Sequence, residues 1–250
     1  MSETIAVAGK GGTGKTTLCG FLIDWLCKTG KTPVLAVDAD ANSNLNEVLG
    51  VEADITLGQI REQVLSDNIP AGISKQDYMD CKFADALIEE DDFDMLIMGR
   101  TEGKGCYCFV NSLLQNQLNK LSGAYKYVVV DNEAGMEHIS RGILPSVDYF
   151  LLVSDCSKRG VQAVGRIAAL IDQMGIKPKK TKLIVNRAPD GKLDDGVIEE
   201  IKLQGLDLLG VVPGDEMVYA YDCAGKPTSK LGADTAARGA FEKFIGSLFE

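Results

Sequence analysis

At 250 residues the chain has room for one large α/β domain or two small ones, and 45% hydrophobic with 25% charged residues suits a soluble globular protein. Its net charge of −10 argues against nucleic acid or an anionic membrane as the main partner. No apolar run reaches the ~18 residues of a transmembrane helix, the first strand starts too early for a signal peptide, and seven cysteines in that setting fit free thiols or metal ligands in a reducing cytoplasm.

In chain order, Thr-Ile-Ala-Val-Ala at 4–8 is a short apolar run expected to be a buried strand. Leu18, Phe21, Leu22, Trp25 and Leu26 recur at helical spacing within a helix predicted over 15–29. A strand at 33–38 follows. The stretch 50–92 is strand-poor and charged and reads as a helical insertion beside the sheet, with helices at 56–66 and 74–90; Thr56 with Gln59 forms a capping box for the first. Strands are then expected at 94–98, 126–131, 148–153, 181–186 and 207–212, with helices at 109–121, 158–174, 194–204 and 234–248. The segment 240–250 is amphipathic but not basic, which suits a packing helix better than a membrane anchor. Alternating strands and helices with near-continuous apolar strands predict one doubly wound, mainly parallel α/β domain over 1–250.

Gly9, Lys10, Gly11, Gly12, Thr13, Gly14, Lys15, Thr16 and Thr17 contain the phosphate-loop pattern G-x-x-x-x-G-K-[ST]. The glycines let successive backbone N–H groups turn inward around an anion, and the helix that follows points its N-terminus at the same place. Lys15 is expected to reach the β- and γ-phosphates and Thr16 to ligate Mg²⁺. Strand 33–38 ends in Asp38-Ala39-Asp40, and ligands bind at the carboxyl ends of such strands. Asp40 is the candidate for orienting the attacking water. Strand 126–131 ends in Asp131, a candidate Mg²⁺ ligand, and the loop Asn132 to His138 is placed to sense the γ-phosphate.

The run Asn186-Arg187-Ala188-Pro189 lacks the aspartate that reads guanine in Asn-Lys-x-Asp, which favours ATP; Asn186 is expected at the adenine edge with Arg187 stacked on the base, and Pro213 is expected to line the purine. Cys106 and Cys108 sit two apart after a glycine-rich stretch. On a helix they diverge by roughly 200°, but in an extended segment they point the same way and can grip one soft metal. Two thiolates supply half of a tetrahedral site, completed either by two other ligands or by a two-fold partner. Cys19, Cys27, Cys81, Cys156 and Cys223 lie singly and read as buried small hydrophobes.

The loop from Gly9 to Thr17, with its second lysine at Lys10, resembles the deviant phosphate loop (deviant Walker A) of the MinD/ParA/nitrogenase-iron-protein class of dimeric ATPases. Within it, Cys106-Tyr107-Cys108 and the run Asp131 to His138 resemble the CooC group, nickel-insertion ATPases for carbon monoxide dehydrogenase, and the similar acetyl-CoA synthase ATPase. The resemblance implies a cytoplasmic homodimer that cycles between ATP and ADP with Mg²⁺. Lys10 would reach the partner's phosphates, Lys15 and Asp40 would serve hydrolysis, and Cys106 and Cys108 would pair with their copies around Ni²⁺ or Zn²⁺. The client would be a nickel enzyme. A MinD/ParA positioning ATPase and an Fe–S electron donor are the alternatives. The acidic balance disfavours membrane or DNA partners, and the absence of cysteine over 132–140 disfavours the electron donor.

Overall fold

The computed structural model describes residues 2–66, 69–70, 72–100, 108–121, 123–134 and 146–250, with only the backbone given at 65–66, 75–76 and 108–113. Eight strands form one sheet: β1 (Glu3–Gly9), β2 (Val34–Asp38), β3 (Ile88–Glu89), β4 (Phe93–Ile97), β5 (Tyr127–Asp131), β6 (Tyr149–Asp155), β7 (Lys180–Ala188) and β8 (Leu208–Pro213), in the order β3-β4-β2-β5-β1-β6-β7-β8. All neighbours run parallel except β3 against β4. The chain winds outward from β1 in both directions, so a topological switch point lies at the carboxyl end of β1, where open α/β sheets bind ligands.

Strand alternation sends successive side chains to opposite faces. Ile5, Val7, Ala36, Val129 and Ile184 pack with helices α1 (Lys15–Lys28), α2 (Leu45–Leu49) and the later α9 (Ala236–Ile245). On the other face, Leu35, Val37, Val128 and Val130 meet α3 (Leu57–Ser66), α4 (Lys75–Ala84) and α5 (Cys108–Leu121). Further along that face, Ala6, Ala8, Phe150 and Val185 meet α6 (Lys158–Gln173) and α7 (Asp195–Leu203). Among the described residues the remaining α-helix, α8 (Glu216–Cys223), buries no residue fully. The doubly wound, mainly parallel sheet read from the sequence is therefore the observed one.

The capping box of α3 is present in both directions: Thr56 N donates to Gln59 Oε1 at 2.8 Å, and Gln59 N donates to Thr56 Oγ1 at 3.3 Å. At the amino ends of the strands, Phe249 stacks on Trp25 and meets Tyr127 and Tyr149, all at ring distances of 5.4–5.6 Å. Phe241, Ile245 and Leu248 are fully buried, so the apolar side of the C-terminal segment faces the core. Arg238, also 0% exposed, joins α9 to α1 through Asp24 and the Phe21 carbonyl.

Three expectations are corrected. The helix read over 74–90 stops at Ala84, because Ile88 and Glu89 pair with Met95 and Asp94 as an antiparallel edge strand. The helix read over 234–248 ends at Ile245 and tightens into a 3₁₀ turn over Gly246–Phe249. Cys81 and Cys223 are exposed rather than buried; Cys19 is buried, and Cys27 and Cys156 are half-buried.

Candidate nucleotide site

The phosphate loop joins β1 to α1. Gly12 and Gly14 adopt φ of 76° and 87°, the left-handed region in which a side chain is strained, and this turns the loop into α1. Thr13 Oγ1 donates to the Lys10 carbonyl at 2.9 Å, closing the loop on itself. Lys15 Nζ folds onto the same carbonyl at 3.3 Å. Burial lowers the Lys15 pKa, and Asp131 and Asp40 oppose that shift. The Lys10 side chain points outward, exposed, at the rim of an apolar hollow that includes Ala163, Ile167 and Leu170 of α6.

Two carboxylates stand side by side behind the loop, because β2 and β5 register Asp38 against Asp131. Asp38 is fully buried and accepts from Asp40 N at 3.0 Å and Leu45 N at 2.9 Å, so it organises the 39–45 loop from within. Burial pushes its pKa up to about 6, against those backbone bonds. Asp131 is pushed up to about 7, chiefly by burial; a bond from the Thr16 hydroxyl opposes this and Asp38 adds to it. Asp131 Oδ1 is buried with no partner among the described residues. Asn132 clamps the strand ends, donating to Val7 O at 3.0 Å and Val130 O at 3.3 Å, while its Oδ1 has no partner among the described residues. Its amide extends the strand-end polar cluster by one residue. The sequence marked that position only as part of a loop. Asp40 is half-buried at the exit of β2, its Oδ1 accepting from Asn42 N at 2.8 Å.

A cavity of about 460 Å³ lies between the end of β7, the end of β8 and α8, lined by Thr17, Asn186, Arg187, Pro213, Val218 and Tyr219 among others. That volume falls in the range of small-ligand pockets. Asn186 Nδ2 donates to Thr13 O at 2.8 Å, and Arg187, with φ of 58°, donates from Nη1 to Gly12 O at 3.1 Å. Both residues expected at the base therefore hold the phosphate loop while lining the cavity beside it. The other wall, α8, was not read from the sequence; its signal is Asp215, which caps the helix by accepting from Met217 N at 2.8 Å and also accepts from Ala237 N at 2.7 Å.

The Cys-x-Cys pair is only partly visible. Cys106 lies outside the described residues, as do Gly135 to His138, and Cys108 is described as backbone at the start of α5. Among the described residues no group of three or more His, Cys, Asp or Glu is placed to hold a metal. Among the described residues, no helix is long and apolar enough to cross a membrane.

Residues 2–185 match the model of the family described as AAA domain. The chain belongs to this family and is an ATPase of the MinD/ParA type. An ATP-binding protein of Methanocaldococcus jannaschii is 42% identical over 91% of this chain and 90% of its own length. The carbon monoxide dehydrogenase accessory protein CooC of Rhodospirillum rubrum is 31% identical over 88% of this chain and 87% of its own. Among solved structures, the septum site-determining protein MinD of Pyrococcus horikoshii complexed with Mg-ADP superposes with a TM-score of 0.74 at 22% identity, covering 99% of this chain and 96% of that one. The AAA-domain match spans the phosphate loop, Asp38, Asp40 and Asp131, and it ends one residue before Asn186.

Proposed function

We propose that the chain is a cytoplasmic, ATP-hydrolysing metallochaperone that delivers nickel to a carbon monoxide dehydrogenase or an acetyl-CoA synthase. The observation that carries this reading is the near full-length relationship to the Rhodospirillum rubrum accessory protein, joined to the Cys106-Tyr107-Cys108 pair. Nickel, or zinc in its place, is cargo held by two Cys-x-Cys pairs across a homodimer, since thiolates suit either ion and four complete a tetrahedral set.

The nucleotide reading rests on the geometry. ATP lays its phosphates along Gly9 to Thr17, with the base in the cavity between Asn186, Arg187 and Pro213. Lys15 leaves the Lys10 carbonyl for the β- and γ-phosphates. The unpaired Asp131 Oδ1, with the Thr16 hydroxyl bonded to the same carboxylate, fits a hard cation. Thr16 and Asp131 would hold Mg²⁺, which when bound neutralises phosphate charge. Asp40 orients the hydrolytic water. Lys10, exposed and without an ion pair among the described residues, reaches the partner's phosphates, so hydrolysis requires the closed dimer. Lys10→Ala should keep ATP binding and lose both hydrolysis and closure.

The test is nickel stoichiometry with molar mass from light scattering, in ADP and in a non-hydrolysable ATP analogue. About one Ni²⁺ per two chains is expected, lost in Cys106→Ala and in Cys108→Ala. Full nickel in both variants would remove the Cys-x-Cys assignment.

The fold likeness to MinD supports a second reading, a positioning ATPase acting at a membrane or on DNA. Phe241, Ile245 and Leu248 are committed to the core, which weighs against residues 240–250 themselves lying on a membrane as an amphipathic anchor. ATP-dependent co-sedimentation with liposomes or DNA would favour this reading.

A further inference from the structure

Asp40 has a side-chain environment that the proposed hydrolysis does not yet use. Its Oδ1 accepts two bonds from one residue, Asn42 N at 2.8 Å and Asn42 Nδ2 at 3.0 Å. The opposite end of that amide is also engaged, because Asn42 Oδ1 accepts from Arg100 Nη2. An amide presents a donor at one end and an acceptor at the other. A cation on Oδ1 therefore reinforces the orientation in which the donor end faces the carboxylate, and it anchors the far end of the amide. A flipped amide would set its oxygen against the Asp40 oxygen and its NH₂ against the guanidinium.

Arg100 is held in place by backbone packing. Met98 N donates to Asp38 O at 2.9 Å, and Gly58 N donates to Met98 O at 2.9 Å. A Cβ at Gly58 would overlap the Arg100 carbonyl, so the first turn of α3 seats directly against it. The backbone of the 39–45 loop is fixed by Asp38, and the side chain of Asp40 by Asn42 and Arg100. Neither Asn42 nor Arg100 lines the base cavity.

We propose that Arg100 is a positioning residue for ATP hydrolysis, acting through Asn42 to orient the Asp40 carboxylate. This rests on the reading of Asp40 as the water-orienting group. Because the relay touches the carboxylate and not the base or the phosphate loop, it governs kcat and leaves nucleotide affinity alone.

The experiment is steady-state ATP hydrolysis and ADP binding by the full chain as wild type, Asp40→Asn, Arg100→Ala, Arg100→Lys, Asn42→Leu and the Arg100→Ala/Asn42→Leu double variant. Arg100→Ala should lower kcat roughly tenfold, the scale of residues that orient a reacting group. KM for ATP and the ADP dissociation constant should stay within about twofold. Arg100→Lys should restore most of the rate, having a donor for Asn42 Oδ1. The double variant should be no slower than either single one, because both cut the same chain. Wild-type kcat in Arg100→Ala beside an inactive Asp40→Asn overturns the relay, as does a rise in KM at unchanged kcat. A wild-type rate in Asp40→Asn overturns instead the reading on which the relay rests.

Discussion

The two ends of the sheet are built on opposite principles. At the amino ends, Trp25, Tyr127, Tyr149 and Phe249 pack ring on ring, and Lys179 reaches both Glu3 and Asp148, at 2.5 and 3.2 Å. At the carboxyl ends, Asp38 and Asp131 are buried together, Lys15 is partly stripped of water, and Asp131 Oδ1 and Asn132 Oδ1 have no partner among the described residues. Burying unpaired polar groups is unfavourable. The carboxyl end therefore gives up stability for a polar site, whereas the aromatic end stabilises the fold that holds it.

The largest break in that contrast is expected from Asp131→Asn. Hydrolysis should fall on the order of 10²-fold or more, the scale of losing one preorganised electrostatic partner. The melting temperature of the nucleotide-free protein at pH 8 should hold or rise, since a buried carboxylate has been neutralised. A variant that loses activity by unfolding would blur the two ends into one. Phe249→Ala should do the reverse. Its cost is about 2–3 kcal/mol, somewhat below a fully buried phenylalanine, or roughly 5–10 °C in thermal melting for a chain this long. Its kcat at 25 °C should match wild type.

A smaller effect is expected from pH. Folding raises Asp131 from 3.8 to about 7 and Asp38 from 3.8 to about 6. Between those values the folded protein holds more protons than the unfolded chain. The resulting penalty is absent below about pH 4, grows as pH rises, and levels off above the folded pKa values. Wild type should therefore lose about 1 kcal/mol relative to Asp131→Asn between pH 6 and 7.5. In the proposed reading Mg-ADP binding would use the ionised Asp131 carboxylate, and it should then strengthen over the same interval. A stability difference that is flat across that interval would remove the raised pKa of Asp131.

Legibility followed the range of the forces. The phosphate loop was readable because its glycines lie next to one another in sequence, and the left-handed turns at Gly12 and Gly14 are local. The parallel strands were readable because burial on both faces leaves a continuous apolar run. The edge strand Ile88–Glu89 was not, since two residues carry no period and the pairing with Met95 and Asp94 comes from the tertiary fold. Helix α8 escaped because none of its residues is fully buried, and only Val218 and Tyr221 pack partly against the core. Asp131, Asn186 and Arg187 were picked out by strand-end position. That Asn186 and Arg187 would grip Thr13 and Gly12, across 173 and 175 residues, could come only from the structure. Nor does any local signal link Arg100 to Asn42.

In the proposed function, nucleotide state sets the grip on nickel. Ni²⁺ binding isotherms of the wild-type protein in saturating ADP and in a saturating non-hydrolysable ATP analogue measure that coupling. Nickel affinity should differ between the two by about tenfold or more, a coupling of roughly 1.4 kcal/mol, and Cys106→Ala should abolish the difference. Identical nickel affinity in both nucleotide states would contradict it.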